Sequence, residues 1–527
     1  MDLGSALSIA SSGLNGIEYQ YSVVSQNVAN SSTAGYASES ASVTSAVAGN
    51  QGTGVRIGMT VVNVSPYLQS SLYTQNAKVS ALTASSNSLA AVESVQGSTS
   101  ASSGSTQTLS DELGNVQSAL TSLASTPLES SAQTAVITAA TSLTDTIHTL
   151  SSTYTQQRQT AEDGIVATVS TINQDLTQIG QLSKQIMGLQ AIGSDTSSLE
   201  NSRLQVMNDL STQVGVKFTE TSKGDMIVTT EDGTKLPTRP DQIGLNDNTQ
   251  TLPSNTWPLS ATTDASGNTA NTTITDDMYY AAGDTNSAIA GITVANAAGT
   301  TPGTDITSKL TSGTLGANIT LRDTTYPTMQ AQLNSFSATL INRFSQSGVD
   351  VPLFTDASGN KTISTDTTTN ANNSSLTNLA SGIQVSSSYS ADPSTLTTNG
   401  DITAITNVLS TTFGTSSTDV SGTQAAPTKG MGPGANLSID YSGAQGLVAL
   451  ATSLTSDQGA TIGTATTNLT YATAVQTTIS AKVTNVSGVN VNNEMSKIVA
   501  LQNAYTANAK IISSVQTMFS ALLDAIN

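Results

Sequence analysis

Both ends of the chain carry the same apolar rhythm in steps of four and three residues, and that rhythm limits the fold more than any other feature. Leu3, Leu7, Ala10, Leu14, Ile17, Tyr21, Val24 and Val28 form one seam along a helix. Val491, Ile498, Leu501, Tyr505, Ile512, Val515, Phe519, Leu522 and Ile526 form another, interrupted by Glu494 and Asn508. Two terminal seams of matching length predict coiled-coil pairing of the N- and C-terminal segments. Periodicity specifies a partner's shape without its identity, so closure within one chain and packing between copies both fit. Gly4, Gly13 and Gly16 each cost a helix about 1 kcal/mol relative to alanine. The terminal segments are therefore expected to be disordered alone and helical once neighbours cover their seams.

Between the ends, helical and turn-rich stretches alternate. The expected organisation is an N-terminal axial helix and extended arm over 1–66, followed by the first part of a helical bundle over 67–215. An inserted β domain covers 216–320, and a helix returns to the bundle over 321–349. A Ser/Thr/Asn-rich β or irregular insertion covers 350–443, the last part of the bundle 444–487, and a C-terminal axial helix 488–527. Stripes such as Leu143, Ile147, Leu150, Tyr154 and Ile165, Val169, Ile172, Leu176 support the bundle. Alternation from Val216 to Thr230, with an Asp232-Gly233 turn, supports the β domain. Only 4% of residues are aromatic and 10% charged, a mix that favours thin helical seams over one large core. The fold class is thus α+β, elongated and multidomain, with paired terminal coiled-coil helices, a helical bundle domain and inserted mainly-β domains.

Composition also narrows function. The net charge is −19 and the 17 basic residues form no run, so nucleic acid and anionic membrane surfaces are unsuitable partners. No stretch approaches a membrane span, and the start Met1-Asp2-Leu3-Gly4 lacks the pattern of a cleaved secretory signal. The absence of cysteine removes disulfides and thiol chemistry. His148 is the only histidine and lies in a helical Ser/Thr segment with no nucleophile elbow, so it reads as a solvated helix residue. Gly52-Thr53-Gly54-Val55-Arg56-Ile57-Gly58 precedes alternating residues instead of joining a strand to a helix, and reads as an arm. Asp264-Ala265-Ser266-Gly267-Asn268 and Asp356-Ala357-Ser358-Gly359-Asn360 carry too few carboxylates for a calcium loop and read as turns. No catalytic constellation, cofactor site or metal site is expected.

Ser12-Gly13-Leu14, Asn27-Val28-Ala29-Asn30 and Thr33-Ala34-Gly35-Tyr36 resemble the N-terminal signature of the bacterial flagellar rod, hook and hook-associated proteins. Ser487-Gly488-Val489-Asn490 with Glu494, Gln502, Ala504-Tyr505 and Ile511-Ile512 resembles the closing helix of the same axial family. Leu204-Gln205-Val206-Met207-Asn208-Asp209-Leu210-Ser211 and Leu321-Arg322-Asp323 are similar to the hook-associated branch. Glu200-Asn201-Ser202-Arg203 and Arg343-Phe344-Ser345-Gln346-Ser347-Gly348 depart from its pattern.

The resemblance implies a structural, non-enzymatic flagellar subunit that assembles with itself as a ring between the hook protein and the next hook-associated protein. It also implies recognition of the C-terminal helix by an export chaperone, and export without a cleaved signal to the flagellum outside the cell. The assembly interface is expected at Leu3, Leu7, Leu14, Ile17, Val24, Asn27, Val28, Asn30, Gly35 and Tyr36, and at Ile498, Leu501, Tyr505, Ile512, Val515, Phe519, Leu522 and Ile526. The rival readings are the hook protein itself, a surface adhesin and a secreted peptidoglycan hydrolase.

Overall fold

The computed structural model describes residues 3–33, 35–48, 51–97, 107–246, 250–261, 273–282, 288–297, 303–346, 348–365, 376–413 and 425–525. Helix α1 (Leu3–Ala29) stops where Asn30, Ser31 and Ser32 offer side-chain alternatives to helical hydrogen bonds. The arm that follows contains β1 (Glu39–Ser40), β2 (Val43–Ala48), β3 (Gln51–Ile57) and β4 (Val61–Val62), paired antiparallel as β1 with β4 and β2 with β3. Helix α2 (Pro66–Gln96) begins with a proline whose missing N–H costs a first turn nothing. At the start of α3 (Leu109–Ser125), Thr108 Oγ1 accepts from Asp111 N and Thr108 N donates to the Asp111 carboxylate, closing both ends of a capping box. The 62 residues of α4 (Ser130–Ala191) span about 90 Å at 1.5 Å per residue.

After α5 (Ser197–Gln213) come β5 (Val216–Glu220), β6 (Met226–Thr230) and β7 (Lys235–Leu236) in one antiparallel sheet. A second small sheet joins β8 (Leu259–Ser260), β9 (Thr293–Val294) and β10 (Thr304–Asp305). Helix α6 (Gly313–Thr320) then passes through a π-helical turn, Leu321–Thr325, into α7 (Tyr326–Phe344). Helix therefore returns ahead of the expected position near 321. β11 (Phe354–Thr355) pairs with β12 (Gln384–Val385), and α8 (Leu379–Gly382), α9 (Ser387–Ala391) and α10 (Thr403–Asn407) are short helices around them. The chain closes with α11 (Leu447–Ser487) and α12 (Val491–Asp524).

Two hydrophobic cores form, and α4 runs through both. Its first half places Leu143, Ile147, Leu150 and Tyr154 against α3, α7 and the start of α11. Its second half places Ile165, Ile172, Leu176 and Ile179 against α5 and the two three-stranded sheets. The Ser/Thr-rich stretch after α7 is more ordered than its composition predicts. Leu379, Ile383, Leu396, Ile405 and Val408 enter the first core beside Phe344. A few apolar residues suffice there because α7 is buried on nearly every side.

The terminal segments take one of the two arrangements that periodicity leaves open. Both are helical within a single chain, and α12 lies antiparallel along α1: Gly13 faces Asn508, and Asn27 reaches Glu494. The cover that the glycine-weakened helix needs comes from its own chain. Gly16 is roofed by Val55 and Val43 of the β2–β3 hairpin, and Val55 N donates to Ser12 Oγ at 3.2 Å. Glycine at 13 and 16 lets α12 and the hairpin approach closely, so the cost in propensity has a packing return.

Candidate functional site: the joint of the terminal helices

The residues of the two terminal motifs meet where α1, the arm, α5, α11 and α12 converge. Asn27 is buried on the last turns of α1 and uses its whole amide. Its Nδ2 donates to Glu39 O at 2.8 Å and Glu494 Oε2 at 3.3 Å. Its Oδ1 accepts from Glu39 N at 2.8 Å and from the Tyr36 hydroxyl at 3.1 Å. A planar amide with two donors and two acceptor sites is the smallest side chain that can hold a strand edge and a carboxylate together.

Asn201 of α5 repeats the device from the other side. Its Oδ1 accepts from Ala37 N at 2.9 Å, and its Nδ2 donates to Ala37 O at 3.1 Å and Glu39 Oε1 at 2.8 Å. The arm is thereby held like a strand between two asparagines. Ser38 N donates to Ser487 O at 2.6 Å, tying the arm to the end of α11.

Glu494 sits buried in the first turn of α12, where the helix dipole favours a carboxylate, and Asn490 caps that turn. Lys497 Nζ donates to Glu494 Oε1 at 2.6 Å. Burial first, then the charges of Glu39 and Glu494, push the Tyr36 hydroxyl well above the usual tyrosine range. Tyr36 therefore stays a protonated donor to Asn27.

A second tie lies beside the first. Thr60 Oγ1 donates to Asp195 Oδ2 in the α4–α5 turn, and the Tyr19 hydroxyl contacts Thr60 Oγ1 at 2.7 Å and Gly58 O at 3.1 Å. Burial works to raise the Asp195 pKa, but bonds from Thr60 and Ser197 outweigh it, and the group is shifted down.

The expected interface residues fall into three groups. Val24, Asn27 and Val515 are buried, the first two near the joint. Leu3, Leu7, Leu14, Ile17, Val28, Asn30, Tyr36, Ile498, Leu501 and Ile512 are half-buried. Gly35 is exposed at a φ of +78°, a left-handed turn that suits glycine. Tyr505, Phe519 and Leu522 are also exposed, and Ile526 lies outside the described residues. Sequence reading did not place Glu39 or Asn201.

Closing α1 on α12 leaves several apolar side chains of α12 uncovered along its length. Met495, Val499, Ile511, Met518, Leu522 and Leu523 are exposed, with Met518 at 55% and Leu522 at 53%. Ile17, Tyr21, Leu501 and Tyr505 line a groove of about 650 Å³ along the flank of the pair. Exposed apolar side chains gathered on one helix pair, with an apolar groove beside them, suit an interaction site.

Elsewhere, His148 Nε2 lies 2.7 Å from Ile383 O, a structural contact. Gly52–Ile57 belongs to β3, and Gly58 N donates to Ser42 O. Asp356 Oδ1 accepts from Ser358 N and Asn360 N in a turn, while Asp264–Asn268 lies outside the described residues. Among the described residues no helix is long and apolar enough to cross a membrane, and no three or more His, Asp or Glu side chains cluster as metal ligands would.

Residues 97–352 match the family model of the flagellar hook-associated protein FlgK helical domain. Residues 482–525 match that of the flagellar basal body rod FlgEFG protein C-terminal segment. Among solved structures, the flagellar hook junction protein FlgK from Burkholderia pseudomallei is similar at 20% identity with a TM-score of 0.39. That match covers 55% of this chain and 45% of the other, so the chain spans less than half the length of that relative. No curated protein matches the chain.

Proposed function

We propose that this chain, a member of the flagellar hook-associated family by its helical-domain and C-terminal matches, joins hook to filament as a self-assembling structural subunit. The observation that carries the reading is the joint. Asn27 and Glu494 lock the two ends into one antiparallel unit whose outer α12 face stays apolar and bare. Covering one Leu or Met side chain is worth about 1.5–3 kcal/mol, so a row of them rewards neighbouring copies strongly. The interface consists of the exposed members of the expected set, with Tyr505, Phe519 and Leu522 at its centre. Copies close into a ring through these faces, with the hook protein on one side and the next hook-associated protein on the other. The α12 segment binds an export chaperone before assembly, and the subunit leaves the cell without a cleaved signal. The role is mechanical and needs no cofactor.

The hook protein is the rival from the same axial family, and the hook-associated helical-domain match favours the junction reading. Electron micrographs of cells lacking this gene separate the two. Hooks without filaments support the junction subunit, and loss of the hook itself supports the rival.

A further inference from the structure

Glu494 does more at the joint than hold Asn27. Its carboxylate, on a side chain 6% exposed, accepts from Lys497 Nζ on Oε1 at 2.6 Å and from Asn27 Nδ2 on Oε2 at 3.3 Å. An amine and an amide, from opposite ends of the chain, thus meet on the two oxygens of one buried acid. The amide is buried, whereas the lysine side chain is 55% exposed on a flexible stem.

The oxygen of the same amide is held as that of a reacting carbonyl would be. Asn27 Oδ1 accepts from Glu39 N at 2.8 Å and from the Tyr36 hydroxyl at 3.1 Å. Two donors on one carbonyl oxygen polarise its carbon and stand ready for the negative charge that an attacking nucleophile creates there. Burial first, and then the Glu39 charge, push the Tyr36 hydroxyl up, so it remains a donor. Nucleophile, proton carrier and oxyanion donors therefore surround Asn27 Cγ.

We propose that Lys497 and Asn27 join in an isopeptide bond that closes α1 onto α12 covalently, with Glu494 as the proton carrier. Glu494 takes a proton from the lysine ammonium, and the amine so formed attacks Asn27 Cγ. Glu39 N–H and the Tyr36 hydroxyl carry the charge that develops on Oδ1. The Nζ–Cγ bond forms, the Cγ–Nδ2 bond breaks, and Glu494 passes protons on to the departing nitrogen. Two protons leave Nζ and two arrive on Nδ2, so the products are a secondary amide and an ammonium ion. Nothing is oxidised or reduced, and no co-reactant is required. The step needs a turn of the lysine stem that carries Nζ from Oε1 onto the amide carbon, and holding both partners on one acid reduces their encounter to that turn.

Asn27 and Lys497 meet only in the folded chain, so the bond is a product of folding. The chemistry depends on the joint alone and not on assembly.

Intact-mass measurement of the purified full-length chain, after prolonged incubation in its folded state, is expected to show a species lighter by one ammonia. Trypsin does not cut after an acylated lysine, so digestion should release residues 1–56 linked to 483–510 as one branched peptide. Lys497→Arg, at a half-exposed position, and Glu494→Gln, which keeps the shape of the side chain without its proton-accepting charge, should each give the full mass and no branched peptide. An unchanged far-ultraviolet circular dichroism spectrum of Lys497→Arg shows that its fold is kept. A wild-type chain that retains its full mass would overturn the proposal and leave an ion pair only. Loss of ammonia that persists in Lys497→Arg, or that maps to a ring closed between Asn27 and Val28 N, would overturn it as well.

Discussion

Asn27 illustrates how much one amide can decide. Its replacement by alanine would leave Glu39 N and O without partners in a buried site and remove a bond to buried Glu494. Orphaned buried groups cost about 1–3 kcal/mol. Asn27→Ala is therefore expected to lower unfolding stability by about 2–3 kcal/mol in denaturant titrations, whereas an exposed control such as Ser31→Ala should change little.

Asp175 of α4 is a different case. Burial first, and Asp209 second, push its pKa up to about 7 from 3.8, and its Oδ2 has no hydrogen-bond partner among the described residues. The folded state keeps this proton to about pH 7, while the unfolded chain releases it near 3.8, so stability falls as pH rises through that window. Discounted for partial solvation of the carboxyl, Asp175→Asn should raise stability at pH 8 by about 1 kcal/mol and flatten the decline between pH 4 and 7. Calorimetry across that range checks the sign.

Residues of this kind were unevenly legible in the sequence. Asn27 and Tyr36 stood out through the motif that carries them. Glu39 and Asn201 did not, because they meet across 162 positions of chain and neither neighbourhood signals the other.

At the scale of elements, periodicity was the readable signal and approach was not. The stripes of α4 announced a buried helix, and the helix did bury them. The glycines of α1 looked like a weakness until the hairpin appeared above them. Gly54 has a φ of +130°, and a Cβ there would run into Ser12 Oγ. Gly54→Ala should lift the hairpin off α1, at about 1–3 kcal/mol of backbone strain. The expected readout is faster proteolysis within 43–57, with the α3–α7 core unaffected. Composition reads the insertion after α7 only as β or irregular, because a scattered Leu, Ile or Val carries no period. Tertiary burial beside Phe344 decided its structure instead.

At the scale of the whole molecule, the chain resembles a long body with its two ends knotted together at one joint. Opening seams of equal length implied pairing, and pairing is what α1 and α12 do. What periodicity could not settle was whether the seam was used up in the process. It is not: Val515 is buried, whereas Leu522, seven residues further along the same stripe, and Met518 stay exposed. The same terminal helices thus pair within one chain and still present apolar side chains to a neighbour.

The central claim is that the uncovered α12 face builds the junction. Its most direct test is to count filaments on cells whose only copy of the chain carries Met518→Glu and Leu522→Glu. Both positions are exposed, so the chain should fold normally, and its recovery from the medium checks export. The account predicts bare hooks, with the altered subunit released into the medium; filaments of normal number and length would contradict it.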